Sequence, residues 1–382
     1  MRAVFVLMLA TGCGFRVGGT AQPDGDVGDD APRDAPDLDA PDDAPIDGAI
    51  DAPRSWWDAD WGHRRSITID GTQLTADLVA FPILIRIPAA DLTGIAQDDC
   101  DDLRFVETDD ITVATYQLDT CGVADNKETL VWLKRSLVHT GGTTLWLYDG
   151  NPTAPKGTND KAVFGSDGAG YESVHHLGGS LADATGNSHG LTASGDPGAI
   201  AGEVGDASDF DGDGDYYKLG AESAFDFTTT MSASAWVKVG SFTDGWQAIV
   251  AKADTAWRLA RAENTNAVGF GTTSGGDSDN LNGTRNINDG AWHHVAIVLE
   301  SGTKYLYVDG VKDVEAPYGG SIDDNNKVVR IGSNETYSSR EWLGQIDEVR
   351  ISGVARSAAW IAAEHLTATS TTFVRIGADE PY

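Results

Sequence analysis

The sequence predicts an all-β protein in which two antiparallel β-sandwich domains follow a signal peptide and a disordered acidic tether. The composition favours strands and tight turns over helical packing, with 45 glycines and 11 tryptophans but only 3 methionines among 382 residues. From Ser55 onward, short apolar segments with strand-like alternation recur between turn signals. Ahead of Ser55 the chain is rich in Asp, Ala and Pro and has few of the large apolar residues that a core requires.

The strongly acidic balance of the chain limits its partners. The formal net charge is −32 and the isoelectric point is about 4.3, and the sequence contains no basic stripe that would bind phosphates. Nucleic acid is therefore excluded as a partner, whereas spare carboxylates suit a hard cation such as calcium. Beyond the first few residues, no apolar run reaches the roughly 20 residues of a membrane-spanning helix.

The N-terminus has the features of an export signal. Arg2 supplies the positive charge, and residues 3–10 form a short apolar run. Residues 9–13, Leu-Ala-Thr-Gly-Cys, resemble the lipobox of bacterial lipoproteins, in which the cysteine thiol takes diacylglycerol. The resemblance implies a signal peptide over residues 1–13 and a lipid at Cys13. Ala10 departs from the larger aliphatic residue usual at its position, and the alternative is an ordinary secretory signal with an incidental Cys13.

The predicted tether occupies residues 14–54. Gly14, in place of Asp after the lipidated cysteine, implies an outer-membrane or cell-surface location by the sorting habit of such lipoproteins. Asp-Ala-Pro repeats then follow, for example at residues 30–32 and 51–53. Their carboxylates repel one another and proline removes backbone donors, so we expect an extended, solvated spacer that holds no calcium.

Residues 55–153 are predicted to form the first sandwich, because strand-like runs at this spacing are typical of antiparallel domains of roughly 100 residues. Three features resemble an uncharacterised domain of bacterial and archaeal surface proteins. They are Trp57 and Trp61 ahead of an Arg pair, the strand at residues 102–105, and the closing residues 147–151. The resemblance brings no known activity. We interpret the tryptophans as core residues rather than as a ligand platform.

Two cysteines lie within the first sandwich. In an oxidising compartment, Cys100 and Cys121 are natural disulfide partners, and closing a loop of about 20 residues would stabilise the fold by roughly 3 kcal/mol. The alternative is a pair of free thiols, which export disfavours.

An ordered set of motifs across residues 168–367 resembles the concanavalin A-like, laminin-G-type domain, a jelly roll of two packed antiparallel sheets. The set comprises residues 171–177, 183–187, 209–212, 231–238, 292–296, 305–310, 343–351 and 355–361. Residues 358–365 predict a short surface helix. Residues 368–382 are predicted as a C-terminal strand, at 372–376, and a tail.

Some jelly rolls of this class are glucanases, in which two carboxylates about 5 Å apart carry out the hydrolysis. In those enzymes the carboxylates come from alternate residues of one strand, Glu-x-Asp-x-Glu. The corresponding residues here are Gln345, Asp347 and Val349, so both flanking carboxylates are missing. Glu348 is expected on the opposite face of the strand. The sequence therefore predicts that the protein is not an enzyme.

Calcium is the one cofactor that the sequence favours. In related sandwiches an acidic residue of the final strand and one near the first strand hold a structural calcium, and Asp347 and Asp183 match those places. The alternative is a turn-capping Asp and a buried hydrogen bond. Residues 209–215 begin like an EF-hand loop but are better read as a glycine-rich turn, and the pairs at 175–176 and 293–294 as core or surface histidines.

Aromatic residues on variable loops are the predicted ligand contacts, because an aromatic face can stack on a sugar. They are Trp246, Trp257 and Tyr337, whereas Trp236, Trp292 and Trp342 lie inside matched motifs and are assigned to the core. The sequence thus predicts a cell-surface lipoprotein whose jelly roll binds carbohydrate or another extracellular polymer. A protein-binding adhesin or envelope assembly component is the alternative, and a glycoside hydrolase is disfavoured.

Overall fold

The computed structural model describes residues 56–157, 161–165 and 169–382. The predicted signal peptide, Cys13 and the tether lie outside the described residues. Residues Ser55–Tyr382 form one compact unit. Among the residues described, no helix has both the length and the apolar character needed to cross a membrane.

Strands are the main secondary structure and helices are few, which confirms the all-β prediction, and every strand pairing among the described residues is antiparallel. In chain order the elements are β1 (His63–Asp70), β2 (Leu78–Ile87), α1 (Ala89–Leu92), β3 (Arg104–Glu107), β4 (Tyr116–Thr120), β5 (Thr129–Leu137), β6 (Gly142–Asp149), β7 (Ser173–His175), β8 (Leu191–Ser194), β9 (Gly198–Ala201), β10 (Asp206–Asp211), β11 (Tyr216–Leu219), β12 (Met231–Lys238), β13 (Ala248–Ala251), β14 (Trp257–Arg261), β15 (Val268–Ser274), β16 (Asp277–Asn282), β17 (Trp292–Glu300), β18 (Thr303–Val308), β19 (Val311–Pro317), β20 (Arg330–Ile331), β21 (Leu343–Ser352), α2 (Ala358–Thr369), β22 (Val374–Ile376) and β23 (Glu380–Pro381).

The first sandwich consists of two sheets. Sheet A has the order β22-β1-β6-β3, with β23 beside β1, and sheet B has the order β2-β5-β4. Alternation explains sheet A: Ile67 and Ile69 of β1 are fully buried, whereas Thr68 between them is exposed. The predicted strand at 372–376 is β22, and it pairs with β1, so the C-terminal end of the chain returns to the first sandwich.

The two cysteines of the first sandwich form the predicted disulfide. Cys100 lies just before β3 and Cys121 just after β4, with their Cα atoms 5.9 Å apart. Trp61 is buried among residues of sheet A, and Trp56 and Trp57 pack partly buried against the same cluster, as expected for core tryptophans.

The jelly roll also consists of two sheets. Sheet C has the order β19-β18-β17-β12-β21-β10-β9, with β7 beside β21, and sheet D has the order β16-β15-β14-β13-β20-β11-β8. The core between them contains fully buried side chains from both, including Val237, Phe270 and Trp342. Trp342 is thus a core residue as predicted.

Sheet C is packed on both faces, because its outer face meets the first sandwich and α2. One continuous apolar cluster includes Trp132 of β5, Trp236 of β12 and Trp360 of α2. The helix is longer than predicted, and it is not a surface helix: Trp360, Ile361 and Glu364 are buried. Its Ser357 cap accepts a hydrogen bond from the Trp360 amide. The apolar cluster that joins the two sandwiches contains no residue of sheet D.

Candidate functional site

The outer face of sheet D carries a row of cationic residues. Lys218, Arg330, Ala251, Arg258, Gly271 and Asn280 lie opposite one another on six successive strands. Directly paired residues share a face of a sheet. Ile331 and Leu259, their neighbours in sequence, point into the core, so the row lies on the outer face. Three cations are thus aligned on a chain whose net charge is −32.

Small residues form the floor of this face. Ala248 and Ala251 are fully buried and Ala260 nearly so, and they pack together. A Cβ at Gly271 would lie 2.5 Å from the Arg258 guanidinium, so only glycine lets Arg258 lie across the sheet. Arg258 reaches the far strand and donates to Asn280 Oδ1 at 2.6 Å.

Two of the three predicted ligand aromatics meet at the edge of this floor. The Arg340 guanidinium lies 4.3 Å from the Tyr337 ring centre and 5.9 Å from that of Trp246. Tyr337 is 48% exposed and Trp246 is half-buried, so both present surface to solvent. On the same face, toward the β8 edge of the sheet, the Arg330 guanidinium lies 4.4 Å from the centre of the Tyr216 ring. The result is an aromatic and cationic surface across sheet D.

Asp254 holds the arginines of this surface in place. Its carboxylate forms an ion pair with Arg340, accepts from Asn334 Nδ2 at 2.8 Å, and lies 3.6 Å from Arg258 Nε. Arg340 is therefore oriented by an ion pair on one side while its planar face lies against Tyr337. We call the set Trp246, Tyr337, Arg340, Arg330 and Lys218 the sheet D surface.

Trp257 does not belong to the sheet D surface. Its side chain is completely buried in the jelly-roll core, and its indole donates to the Phe225 carbonyl at 3.1 Å. It is the first residue of β14 and points to the inner face of sheet D, as Leu259 does. This placement corrects the expectation that Trp257 stands on a loop.

The two residues predicted to hold calcium, Asp183 and Asp347, both accept hydrogen bonds from backbone amides. The Asp183 carboxylate accepts hydrogen bonds from the Val174, Thr185 and His189 amides at 2.9–3.2 Å, which makes it the cap of its own loop. Asp347 is fully buried, and its Oδ2 accepts from the Val204 amide at 2.9 Å. Burial, reinforced by Glu348, holds the pKa of Asp347 well above its ordinary value. These contacts are the turn cap and the buried hydrogen bond of the alternative, and calcium at Asp183 and Asp347 stays a prediction.

A buried charge network that was not predicted from the sequence lies where the first sandwich meets the jelly roll. His176 Nδ1 lies 2.5 Å from Glu348 Oε1 and 3.9 Å from Asp119 Oδ2 of β4. Glu348 also accepts from Arg350 at 2.9 Å, and Arg350 lies 3.7 Å from Glu364 of α2. Two sandwiches and the helix thus share one chain of alternating charges.

Glu348 reaches this network through a β-bulge. The register between β12 and β21 shifts after Ser234, and Glu348 has a φ of +49°, a conformation that favours glycine. Strict alternation predicts Glu348 on the face of the strand opposite Asp347. In the structure the bulge interrupts this alternation, and both carboxylates are buried. The signal in the sequence was a pair of adjacent acids, Asp347 and Glu348, in the middle of the strand.

A second acidic cluster is formed by Glu222, Asp226 and Asp324. The buried Lys252 ammonium lies 2.5 Å from Glu222 Oε1 and 2.7 Å from Asp226 Oδ1. A protein cation therefore already pairs with two of the three carboxylates of this cluster.

Both family resemblances are confirmed by comparison with known families. Residues 211–362 match the model of the concanavalin A-like lectin/glucanases superfamily, and residues 99–168 match a domain of unknown function, DUF2341. No curated protein matches the chain.

Solved structures similar to the chain are binding domains and a domain of an arabinanase. The binding domain of Paraclostridial Mosquitocidal Protein 1 is 13% identical with a TM-score of 0.45, over 52% of each chain. Domain 4 of AbnA, a GH43 extracellular arabinanase from Geobacillus stearothermophilus, is 21% identical with a TM-score of 0.43, over 50% of this chain and 97% of that one. The chain spans about half the length of the first of these structures.

Proposed function

We propose that this protein is a non-catalytic binder of an extracellular glycan or related polymer, and that the sheet D surface is its binding site. The observation that carries the proposal is the clustering of Trp246, Tyr337 and Arg340 beside the row that holds Arg330 and Lys218. Aromatic faces stack on the apolar faces of sugar rings, while guanidinium groups donate to hydroxyls and carboxylates. The central strands of the opposite sheet are covered on their outer side, where they pack on the first sandwich and α2.

The positions of the acidic residues on β21 support binding without hydrolysis. Retaining glycosidases need two carboxylates about 5 Å apart on either side of the bond that is cleaved. Here Asp347 and Glu348 are 0% and 2% exposed, and each is engaged in the interior. Neither carboxylate can reach a polymer lying on sheet D. Cleavage of a polysaccharide that is lost in Asp347→Ala would overturn this part of the proposal.

Substitution of the aromatic residues tests the binding site. In a glycan screen with the full chain, Trp246→Ala and Tyr337→Ala are expected to weaken binding about tenfold or more each, because each removes a stacking face worth over 1 kcal/mol. Ile111→Ala, which removes a 78% exposed side chain on the first sandwich, should leave binding unchanged. Equal binding by all three variants would rule out the sheet D surface.

The same surface would suit a protein partner, which is the second candidate function. Trp, Tyr and Arg dominate the residues that carry protein–protein affinity, and all three are present here. An adhesin or envelope assembly component would bind proteins but no glycan in the same screen.

We further propose that the protein is exported and displayed at the cell surface or outer membrane through a lipid on Cys13, with residues 14–54 as spacer. Cys13→Ser is expected to move the protein from the membrane fraction to the soluble fraction, because acyl chains are then absent. Labelling with radioactive palmitate should be lost in parallel. A Cys13→Ser protein that still pellets with membranes would contradict the lipid anchor.

A further inference from the structure

A cavity of about 450 Å³ lies at the junction of the two sandwiches. Its walls come from β4, the edge strand of sheet B, from the segment 176–184 of the jelly roll, and from the turn between β9 and β10. A second cavity of about 390 Å³ shares Thr120 and Asp206 with it. Together they form a cleft along the edge strand, which we call the junction cleft. It lies apart from the sheet D surface, with which it shares no residue.

Two residues that line the first cavity each carry a buried polar atom with no hydrogen-bond partner. Gln117 is 7% exposed, and its Oε1 accepts no hydrogen bond. The Nε2 atom of His176 is buried and also unpartnered, because the Nδ1 atom is the one that meets Glu348. Buried polar groups are nearly always paired, and an unpaired one costs about 1–3 kcal/mol. A partner from outside the chain would satisfy both.

The chemistry of these two atoms indicates the class of partner. His176 lies between the carboxylates of Asp119 and Glu348, so its imidazole is held as the cation and Nε2 carries a proton to donate. Gln117 Oε1 is an acceptor. A hydroxyl group is the simplest group that can accept a hydrogen bond from His176 Nε2 and donate one to Gln117 Oε1.

The charges around the cavity disfavour an anion, and the positively charged ring of His176, whose Nε2–H must be met by an acceptor, disfavours a cation at that point. Lys161 and His176 face the carboxylates of Asp119, Asp183 and Asp206, which leaves a small net negative charge. An anion would be repelled, and the Asp183 carboxylate is already occupied by amide donors. The volume is in the range of small-molecule sites.

We propose that the junction cleft is a second binding site, for a neutral hydroxyl-rich ligand such as a sugar residue or a polyol. Gln117 accepts from one of its hydroxyls, and His176 Nε2–H donates to one. This assignment does not depend on the sheet D surface, because no residue is shared.

Ligand-observed NMR with glucose, galactose, mannose, arabinose and myo-inositol tests the site in the full chain. Gln117→Met keeps the length of the side chain and removes the acceptor, and it is expected to weaken binding about tenfold. Trp246→Ala and the control Gln73→Met should leave that signal unchanged. A signal that is lost in Trp246→Ala but kept in Gln117→Met would assign it to the sheet D surface and overturn the proposal.

The unmodified protein provides a second readout that needs no variant. Binding at the junction cleft is expected to shift the ¹⁵N resonance of His176 Nε2, because its proton gains an acceptor. The absence of a shift with every member of the panel would mean that the cavity holds water only, and would overturn the proposal.

Discussion

Replacing Arg350 by methionine is expected to destabilise the protein by about 3–5 kcal/mol, the cost typical of removing one partner from a buried ion pair. Arg350 is the central cation of the buried charge network between the two sandwiches. It donates to Glu348 Oε2 at 2.9 Å and lies 3.7 Å from Glu364 Oε1, and its side chain is 5% exposed. Methionine fills a similar volume, so the loss reports on charge rather than on a cavity.

The carboxylates left behind are the reason for the large effect. Burial would raise the pKa of Glu364, but His294 and Arg350 outweigh it and bring that pKa to about 2. The pKa of Glu348 is likewise lowered by His176 and Arg350 against the effect of burial. Both groups are therefore ionised at neutral pH, and without Arg350 they must either remain as buried charges or take up protons.

Urea denaturation of the full chain measures the effect. Arg375→Met, which removes an exposed arginine on β22, should change the free energy of unfolding by less than about 0.5 kcal/mol. Combining Arg350→Met with Glu348→Gln should recover part of the loss, because the stranded carboxylate is then neutral. A change below about 1 kcal/mol in Arg350→Met would show that the network does not hold the junction together.

Local pattern was enough to predict most of the fold. Alternating apolar residues located strands such as β1 and β12. Two cysteines in a chain whose N-terminus predicts export were enough to predict the Cys100–Cys121 disulfide. Trp246 and Tyr337 were also predictable as surface aromatics, since both stand between strands. The strands and the surface aromatics depend on residues close together in sequence, and the disulfide depends on the tendency of two cysteines to pair in an oxidising compartment.

The features that sequence reasoning missed depend on tertiary structure. The buried charge network joins residues from separate parts of the chain: Asp119, His176, Glu348 and Glu364. Taken singly, the sequence around each of them is that of an ordinary solvated polar residue. Alternation failed at Glu348 because a bulge inserts one residue into β21. Trp257 was expected on a loop, but β14 begins at this residue, and the alternation of that strand turns its side chain into the core.

The titration of His176 yields the second large effect, a loss of stability at alkaline pH. Burial alone would lower the pKa of His176, but the carboxylates of Asp119 and Glu348 outweigh both burial and the opposing charge of Arg350, and they raise it to about 9. A pKa raised in the folded state means that the stabilisation is fully present below the unfolded value of about 6.5 and is lost as the pH rises to about 9. The loss over this window is about 3 kcal/mol.

Unfolding measured between pH 6 and pH 10 in the full chain and in His176→Gln isolates this contribution. The full chain is expected to lose stability progressively between pH 6.5 and 9, whereas His176→Gln should be less stable at pH 6 and nearly flat over that window. His139→Gln, at an exposed histidine paired with Asp77, should keep the slope of the full chain. The same slope in His176→Gln would place the titrating group elsewhere. His176 lies in the jelly roll and Asp119 in sheet B. The dependence of stability on pH therefore measures how much the proton on His176 stabilises the contact between the two sandwiches.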